Sequence, residues 1–464
     1  MRRAAVASAF KLAPLRDDRP PAEASIDQLS YACVEMRNWA GNLEYHARQV
    51  LRPTSVEELQ DVVRSSSRIR PIGSRHSFNE LADTTGDHVI LSELPRILDI
   101  DVAGGTATID GGARYGDVCE PLDAAGLALD SLASLPHISV TGACATGTHG
   151  SGDRTGSLAT AVQALDIILA DGELVTARDD DPPAEGQIPL AAAVVNLGAI
   201  GVVSGITLKA EPRFDMRQDV FEGLPIDAFV DHFDEITALA ESVSFFTVWD
   251  DRAFHQLWLK TRLEPSVGDG LASGGSGGIP TEVFGARPAT VQRHPIPGMS
   301  PDACTAQLGV RGSWHERLPH FRLDHTPSAG DELQSEYLVP RERAVDAFLA
   351  IHRLRRRIAP LIQVSEVRTV AADHLWLSPM FERDSVAFHF TWLPDWAGVK
   401  ALLPVIEAAL RPFEPRPHWA KLFTMERPEV RSRYPQLGTF ASLATELDPT
   451  GKLRNAFLGR YLFA

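Results

Sequence analysis

The chain has 464 residues, more than a single hydrophobic core usually organises, and this length predicts two domains. Its residues are 44% hydrophobic and 23% charged, a balance typical of globular proteins rather than disordered chains. The formal net charge of −16 argues against a nucleic-acid or membrane partner, because both require a surplus of basic side chains. A small basic pocket for an anionic cofactor remains compatible with that charge.

The cysteines and the N-terminus indicate the compartment. Four widely spaced cysteines form no CxxC pair, which disfavours a disulfide framework and a metal site and favours a reducing, cytoplasmic environment. Residues 1–37 begin with two arginines and a short apolar stretch that Lys11 interrupts, so we interpret them as a flexible leader. No run of about eighteen apolar residues occurs, so no transmembrane span is predicted. We expect a monomer.

Folded structure is expected to begin near Asn38. Ser55 to Glu58 has the form of a helix capping box, and the residues after it keep helical spacing. A short strand, IRPIG, leads into the loop PIGSRHSFNE, Pro71 to Glu80, which carries a single histidine, His76. Taken alone, this histidine is typical of a solvated loop.

The next elements alternate between short strands and short helices. VILSEL and ATIDGGA are predicted to be strands, and the helix from Tyr115 to Ala125 should end at Gly126. LDIILADGELVTA is predicted to be a hairpin that turns at Asp171 and Gly172. PLAAAVVNLGAIGVVSGITLKAEP should form a small helix, a glycine turn and a strand. The chain up to Pro212 is therefore expected to be mixed α+β.

After Pro212 the pattern changes. FFTVWD and FHQLWLKTR are predicted to be strands, and the Gly- and Ser-rich stretch Gly268 to Gly278 a mobile loop or an excursion from the fold. PRERAVDAFLAIHRLRRRI is predicted to be a helix that leads into a pair of strands. WAGVKALLPVIEAAL should be the final helix, followed by the tail LDPTGKLRNAFLGRYLF.

A second glycine-rich stretch, SLPHISVTGACATGTHGSG, runs from Ser134 to Gly152. Its glycines allow close approach of backbone N–H groups to a ligand, and its interleaved hydroxyls add donors, which suits a diphosphate. The stretch is neither the GxGxxG motif nor a P-loop, because no GK[ST] follows. A plain glycine-rich turn between strands is the alternative.

Read together, GSRHSFN, SLPHISVTGACATGTHGSG and NLGAIGVV resemble, in order and spacing, the flavin domain of the vanillyl-alcohol-oxidase (PCMH-type) family. The match is with its alditol and xylitol oxidase branch and runs from about Asn38 to the C-terminus. The resemblance implies an α+β fold with a PCMH-type FAD-binding domain at 38–213 and a mixed-sheet substrate domain at 214–400. Residues 401–464 would complete the substrate site and pack on the FAD domain.

The resemblance also implies the residues that hold FAD. His76 stands where the family histidine bonds to the flavin 8α methyl group, and no cysteine stands where relatives carry a second tether, so a single bond is expected. Arg75 occupies a position where glycine is common, and we expect that this position does not require a positive φ. The FAD-binding positions fall on Pro71, Ile72, Gly73, Ser74, Arg75, His76, Ser77, Ser134, Ser139, Gly142, Thr146, Gly147, Thr148, His149 and Val203.

Candidate substrate residues follow from period-2 patterns in the second half. In SEVRTV, Glu366 and Arg368 share a strand face, as do His389 and Thr391 in SVAFHFTWL. In PHWAKLF, Lys421 is predicted to alternate with apolar neighbours in a strand. From the residues alone, these side chains also fit a solvated sheet face. The resemblance implies instead that Ser134, Glu366, Arg368, Thr391 and Lys421 bind a polyol, with His389 beside them.

The implied reaction is oxidation of the C1 hydroxyl of an alditol such as xylitol or sorbitol, by hydride transfer to flavin N5. Lys421 and His389 are the candidate catalytic residues, because either can stabilise an alkoxide or accept its proton. Dioxygen would be reduced to hydrogen peroxide, with small Ala133 beside its path. Two alternatives remain: a sugar-lactone oxidase or dehydrogenase of the same family, and a non-catalytic protein that binds a nucleotide or sugar.

Overall fold

The computed structural model describes residues 36–179, 186–250, 253–263, 281–325 and 332–463. Residues 1–35 of the predicted leader and the predicted Gly268–Gly278 loop lie outside this part of the chain. Among the described helices, none has the length and apolar character that crossing a bilayer requires.

The strands are β1 (Gln49–Leu51), β2 (Ile69–Pro71), β3 (Asp87–Val89), β4 (Leu98–Asp101), β5 (Thr106–Asp110), β6 (Leu127–Ala128), β7 (Val162–Ile168), β8 (Leu174–Arg178), β9 (Val202–Lys209), β10 (Glu211–Pro212), β11 (Asp215–Pro225), β12 (Ser242–Thr247), β13 (Ala253–Leu263), β14 (Arg287–Pro288), β15 (Gly312–Ser313), β16 (Leu333–Pro340), β17 (Ile362–Val370), β18 (Ser385–Trp392) and β19 (Arg416–Pro417). The α-helices are α1 (Val56–Ser65), α2 (Tyr115–Ala124), α3 (Val140–Ala145), α4 (Leu190–Ala193), α5 (Ile226–Thr237), α6 (Ala344–His352), α7 (Arg355–Ile358), α8 (Trp396–Leu410), α9 (Arg427–Arg433), α10 (Leu437–Leu447) and α11 (Ala456–Leu458).

The first half of the chain builds three sheets, of which the smallest is the antiparallel pair β6–β10. Strands β1, β3 and β2 pair in parallel, and the loop that bears His76 follows directly after β2. Strands β4, β5, β9, β7 and β8 form a five-stranded antiparallel sheet. The predicted hairpin is its β7–β8 pair, and Gly172 and Gly126 adopt the positive φ values of +86° and +81° that their turns need.

The second half builds a nine-stranded sheet in the order β14-β11-β13-β12-β17-β18-β16-β19, with β15 also on β11. Taken together the sheets are mixed, as expected, but the parallel ladders lie in the first sheet and those of this large sheet are antiparallel. Phe246, Glu366, His389 and Glu336 stand directly opposite one another on β12, β17, β18 and β16. Residues paired in this way share a face, so three polar side chains form one row.

The structure corrects several predicted elements. The single helix predicted for PRERAVDAFLAIHRLRRRI is broken into a 3₁₀ turn, α6 and α7, because the chain tightens where the N–H of Leu354 donates to the carbonyl of Ile351 at 2.8 Å. The tightening keeps Ile358 buried while the arginines before it stay at the surface. Of the strand predicted for VILSEL, only its first residue, Val89, belongs to a strand, because β3 ends there. Ser55 caps α1 as predicted, but the Glu58 carboxylate accepts from Thr54 instead of closing the box.

Two further corrections concern the C-terminal part. Lys421 is not in a strand: β19 ends at Pro417, and the N–H of Lys421 donates to the carbonyl of His418 at 3.1 Å in a turn. Helix α8 is not the last helix, since α9, α10 and α11 follow. The burial of Leu437, Phe440 and Ala444 on α10 follows a helical spacing that was readable in the sequence. The division of the chain at 213 and 400 stays a prediction.

Candidate active site

One cavity of about 840 Å³ lies between the histidine loop, the second glycine-rich stretch and the large sheet. This volume is within the range of ligand and cofactor sites. With one exception, every predicted site residue lines it: Pro71, Ile72, Gly73, Ser74, Arg75, His76, Ser77, Ser134, Ser139, Gly142, Thr146, Thr148, His149, Val203, Glu366, Arg368, His389, Thr391 and Lys421. Gly147 does not line it; its φ of +67° serves the turn after α3.

The histidine loop is held rigidly at the cavity wall. The ring of His76 lies 4.4 Å from that of Trp39, centroid to centroid, and the side-chain amide of Asn38 donates to the carbonyl of Ser77 at 2.9 Å. Burial, followed by the nearby charge of Lys421, lowers the pKa of His76 to about 4. At neutral pH the imidazole is therefore uncharged, with a lone pair available as a nucleophile.

Arg75 departs from the sequence-based expectation. Its φ is +61°, in the left-handed region, so this loop position does require a positive φ. A residue with a Cβ costs roughly 1–2 kcal/mol in this conformation. The N–H of Trp39 donates to the carbonyl of Arg75 at 2.8 Å, and this contact helps hold the strained turn.

The glycines of the two stretches meet at Ser139. A Cβ on Gly73 would lie 2.3 Å from the Ser139 hydroxyl oxygen, and one on Gly142 would lie 2.6 Å from it. The Ser139 N–H donates to the Ser74 hydroxyl at 3.2 Å. At the cavity wall beyond, a Cβ on Gly111 would lie 2.2 Å from the carbonyl oxygen of Val203. At these glycines the backbone is packed too closely to admit a side chain. Such exposed backbone can cradle phosphate and ribose groups, and in this respect the cavity fits FAD.

The side chain of Asn79 joins the histidine loop to the turn that carries Lys421. Its Nδ2 donates to the carbonyl of Trp419 at 2.7 Å and to that of Lys421 at 2.8 Å. The N–H of Phe78 also donates to the carbonyl of Ala420 at 2.7 Å. These three bonds fix the distance between His76 and Lys421 across a sequence separation of more than three hundred residues.

Glu336, on β16, lies behind the cavity wall and is the centre of a group of charged residues, of which Lys421 and Arg368 line the cavity. Its Oε2 accepts from Lys421 Nζ at 2.5 Å, its Oε1 accepts from Arg368 Nη2 at 2.8 Å, and His149 Nε2 lies 3.5 Å away. Its carboxylate is fully buried. Although burial raises the pKa of Glu336, the charges of Lys421, His149 and Arg368 outweigh this and hold it well below its ordinary value.

His389 and Lys421 are in direct contact. Lys421 Nζ donates to His389 Nδ1 at 3.0 Å, and His389 Nε2 lies 3.1 Å from the hydroxyl oxygen of Thr391. An ammonium group cannot accept, so Nδ1 is the acceptor and the ring proton sits on Nε2, pointing to Thr391. Burial, then Lys421, lowers the pKa of His389 well below its ordinary value, and burial also lowers the pKa of Lys421 against the opposing charge of Glu336.

Glu366 is held from two sides. His320 Nε2 lies 2.9 Å from its Oε1, and Arg368 Nε lies 3.5 Å from its Oε2. Burial raises the pKa of Glu366, but the charge of Arg368 and the hydrogen bond from His320 exceed that effect and keep it far below its ordinary value. The carboxylate is therefore ionised and reaches the cavity with acceptor capacity left over.

The sequence-based predictions missed Glu336, His320 and His418. Glu336 follows Gln334 at the period of two that revealed Glu366 and Arg368, so the signal was present in LQSEYLVP. His320 and His418 lie in irregular segments, where no periodicity marks a side chain that faces a cavity. Both line the cavity, as do Gln334 and Glu332.

Comparison with protein families gives two matches. Residues 47–178 match a family described as FAD binding domain, and residues 331–461 match D-arabinono-1,4-lactone oxidase. The first contains most of the predicted cofactor residues. The second contains Glu336, Glu366, Arg368, His389 and Lys421.

Individual relatives cover nearly the whole chain. The chain is 47% identical to an alditol oxidase from Streptomyces sp. over 424 residues, which are 91% of this chain and 97% of the relative. It is 29% identical to an L-gulono-1,4-lactone dehydrogenase from Mycobacterium tuberculosis, covering 92% of this chain and 98% of the relative. The crystal structure of cholesterol oxidase from B. sterolicum superposes with a TM-score of 0.72 at 16% identity, covering 92% of this chain and 96% of that one. This last likeness concerns the fold alone and, with the FAD-domain match, confirms the expected α+β, PCMH-type architecture.

Proposed function

The chain belongs to the alditol oxidase branch of the vanillyl-alcohol-oxidase family, and on this premise we propose that it is an FAD-dependent oxidase of alditols such as xylitol and sorbitol. The observation that carries the proposal is the shared cavity, which is lined both by the loop that bears His76 and by Ser134, Glu366, Arg368 and Thr391. We call these last four residues the polyol grip. Identity of 47% along nearly the full length of an alditol oxidase supports the same substrate class.

FAD bound in the cavity would accept a hydride from C1 at N5 and pass the electrons to dioxygen, giving hydrogen peroxide. The loop Pro71 to Ser77 and the stretch around Ser139 would hold it, with backbone N–H groups and hydroxyls on the diphosphate. His76, neutral and pointing into the cavity, would carry a single covalent bond to the 8α methyl group. Ala133, which lines the cavity beside Ser134, would leave space for dioxygen.

The polyol would be gripped by its vicinal hydroxyls. The ionised Glu366 carboxylate accepts from hydroxyl protons, and the Arg368 guanidinium donates to hydroxyl oxygens. Ser134 and Thr391 add hydroxyl contacts on either side. A site that satisfies its buried polar groups only through substrate hydroxyls rejects deoxy analogues strongly, because those groups are then left unpaired.

Lys421 and His389 would act together on the C1 hydroxyl. Lys421 uses one N–H on Glu336 and one on His389, so a third remains for the C1 oxygen and stabilises its developing negative charge. The single lone pair of His389 already accepts from Lys421. A proton leaving the hydroxyl therefore reaches the imidazole through the lysine, which first passes one of its own protons to Nδ1 and then takes the hydroxyl proton in its place.

Anaerobic stopped-flow reduction of the yellow enzyme by xylitol, sorbitol, glycerol and a sugar lactone tests the proposal. Rapid flavin bleaching by the polyols, with slow or no bleaching by the lactone, is the expected result. Lys421→Ala should slow flavin reduction far more than reoxidation by dioxygen, and the exposed Lys400→Ala serves as the matched control. Equal effects of Lys421→Ala on both half-reactions would remove this lysine from the reacting hydroxyl.

A sugar-lactone oxidase or dehydrogenase is the second candidate, favoured by the match of residues 331–461 to D-arabinono-1,4-lactone oxidase. Its substrate would present the same acceptor and donor pattern on a ring. Turnover with dioxygen compared with an artificial electron acceptor separates oxidase from dehydrogenase. Lactone turnover that exceeds polyol turnover would reverse the order of the two candidates.

The covalent bond has its own test. His76→Ala should bind FAD only weakly and lose the yellow colour on acid precipitation, whereas wild type keeps it. His137→Ala, a change to a histidine close enough to influence the pKa of His76, is the control and should keep acid-stable colour. Acid-stable colour in His76→Ala would locate the bond elsewhere. A monomer in the cytoplasm is part of the same proposal, and size-exclusion chromatography measures the first of these.

A further inference from the structure

Lys260, on β13, is a buried ammonium group that lies outside the cavity lining. Its residue is 1% exposed. Nζ contacts the carbonyl oxygen of Leu318, the carbonyl oxygen of Pro319 at 3.1 Å, and His320 Nδ1 at 3.0 Å. A lysine in such a place requires a reason, because removing an ammonium group from water is costly unless its charge is used.

The contacts of Lys260 fix the proton on His320. An ammonium group only donates, so His320 Nδ1 accepts and the ring carries its proton on Nε2. That Nε2 lies 2.9 Å from Glu366 Oε1, and the N–H therefore donates to the carboxylate. The three groups form a chain of hydrogen bonds in which every donor and acceptor matches.

Packing fixes the imidazole plane as well. The ring of His320 packs edge-to-face against those of Phe246 and Trp258, with centroid distances of 5.7 Å and 5.2 Å, and these two rings lie 5.1 Å from each other. The imidazole therefore cannot turn to present its other nitrogen to Glu366 without disturbing both aromatic rings. With the ring plane fixed, the remaining freedom is which ring nitrogen carries the proton, and the contact with Lys260 determines this.

We propose that Lys260 is a positioning residue for the polyol grip, which acts through the tautomer of His320 to aim the Glu366 carboxylate at a substrate hydroxyl. This inference rests on the proposed function, since it assigns Glu366 a polyol hydroxyl. Loss of the ammonium group frees His320 to move its proton to Nδ1. Nε2 then presents a lone pair to the carboxylate, and Glu366 turns away.

The charge state of Lys260 links the grip to pH. Burial lowers its pKa to about 7, against the opposing charge of Glu366. The other titratable or charged groups that face it are His320, Cys304, Arg368 and Arg317. Above pH 7 Lys260 loses a proton and gains a lone pair that can accept from Nδ1–H, so it no longer holds the proton of His320 on Nε2, and the Kd for the polyol is expected to rise.

A double-mutant cycle on the FAD-loaded enzyme separates this role from a structural one. Lys260→Met should raise the Kd for xylitol, taken from saturation of the anaerobic flavin-reduction rate, about 10- to 100-fold, the usual cost of a lost hydrogen bond to a charged group. His320→Gln supplies an N–H to Glu366 that needs no tautomer. In that background Lys260→Met should change the Kd less than about 3-fold.

The pH profile is the second measurement. Wild type should lose affinity for xylitol as the pH rises through about 7, and His320→Gln should show no such step. If Lys260→Met fails to fold, this comparison of wild type with His320→Gln still decides. Equal Kd increases in both backgrounds, or a step near pH 7 that survives in His320→Gln, would overturn the inference. Wild type that is not reduced by any polyol would instead defeat the proposed function, so the two failures are distinguishable.

Discussion

Glu336 shows how one buried carboxylate organises two cations. It is bonded to Lys421 and Arg368 and lies close to His149, yet in the proposed reaction it never touches the substrate. Its charge opposes the lowering of the Lys421 pKa by burial and so favours the protonated lysine, which is what the developing alkoxide requires. At the scale of single residues, the chemistry therefore depends on a side chain behind those that contact the polyol.

Glu336→Gln should slow flavin reduction by xylitol about 100-fold or more, because an uncharged partner leaves Lys421 buried without its counter-charge. Stopped-flow reduction measures this directly. Glu407→Gln is the matched control: Glu407 is also buried and bonded, to Tyr337 and Thr424, but these partners do not line the cavity, whereas Lys421 and Arg368 do. A reduction rate for Glu336→Gln within a few-fold of wild type would exclude the role given to its charge.

Arg75 makes the strain of the histidine loop measurable. Because its φ is +61°, Arg75→Gly should unfold with a free energy about 1 kcal/mol higher than Arg75→Ala. At Arg68, which has no positive φ, alanine should be the more stable replacement, since glycine costs about 0.5–1 kcal/mol in ordinary extended or helical backbone. Urea unfolding of the four variants shows which of glycine and alanine is the more stable replacement at each position. If alanine is the more stable replacement at both positions, the loop is not strained at Arg75.

At the scale of secondary-structure elements, the sequence predicted those strands whose side chains alternate regularly between polar and apolar. The strands with Glu366, Arg368, His389 and Thr391 were found because alternate side chains share a face, and the structure puts these faces on one cavity. Lys421 was assigned to a strand but lies in a turn. The alternation of apolar residues around it does not reveal that the pairing of β19 with β16 ends at Pro417. His320 depends on a contact between distant segments, which no local signal encodes.

The connection made by Asn79 predicts coupling between two distant elements. Asn79→Ala removes two bonds to backbone carbonyls and should lower the free energy of unfolding by about 1–3 kcal/mol. It should also slow flavin reduction, because the Lys421 turn is released from the histidine loop. Asn455→Ala, which removes three bonds from the same side-chain type to residues Glu80, Leu81 and Asp83, controls for stability alone. Loss of rate in both variants to the same degree would contradict a specific effect of Asn79.

At the scale of the whole molecule, the buried site makes the folded state sensitive to acid. His320 is buried and neutral, with its pKa lowered to about 4 by burial and by Lys260. The unfolded chain takes up a proton on this residue near pH 6.5 and the folded chain does not, so stability falls as the pH drops from 6.5 to 4. The lowered pKa values of Glu336 and Glu366 act in the same direction below about pH 4.5.

The free energy of unfolding should therefore decrease steadily between pH 7 and pH 4, with His320 alone accounting for on the order of 3 kcal/mol. Urea unfolding at a series of pH values measures this, and His320→Gln should flatten the part of the curve between pH 6.5 and 4. Lys260, with a pKa lowered to about 7, adds stability as the pH rises further. An unchanged slope in His320→Gln would mean that this imidazole is already protonated in the folded state.

The bonds from Asn79 and Phe78 to the Lys421 turn have a practical consequence for engineering. They join the histidine loop and the Lys421 turn into one stiff block. Amino-acid changes in this block are therefore expected to abolish turnover before they alter the preference for one polyol over another. The cavity also has a rim formed by His294, Ile296 and Met299, whose segment is bonded to β13 instead, through His255 and Gln256. Libraries that aim to accept longer or shorter sugar alcohols should concentrate their diversity at that rim and leave the block intact.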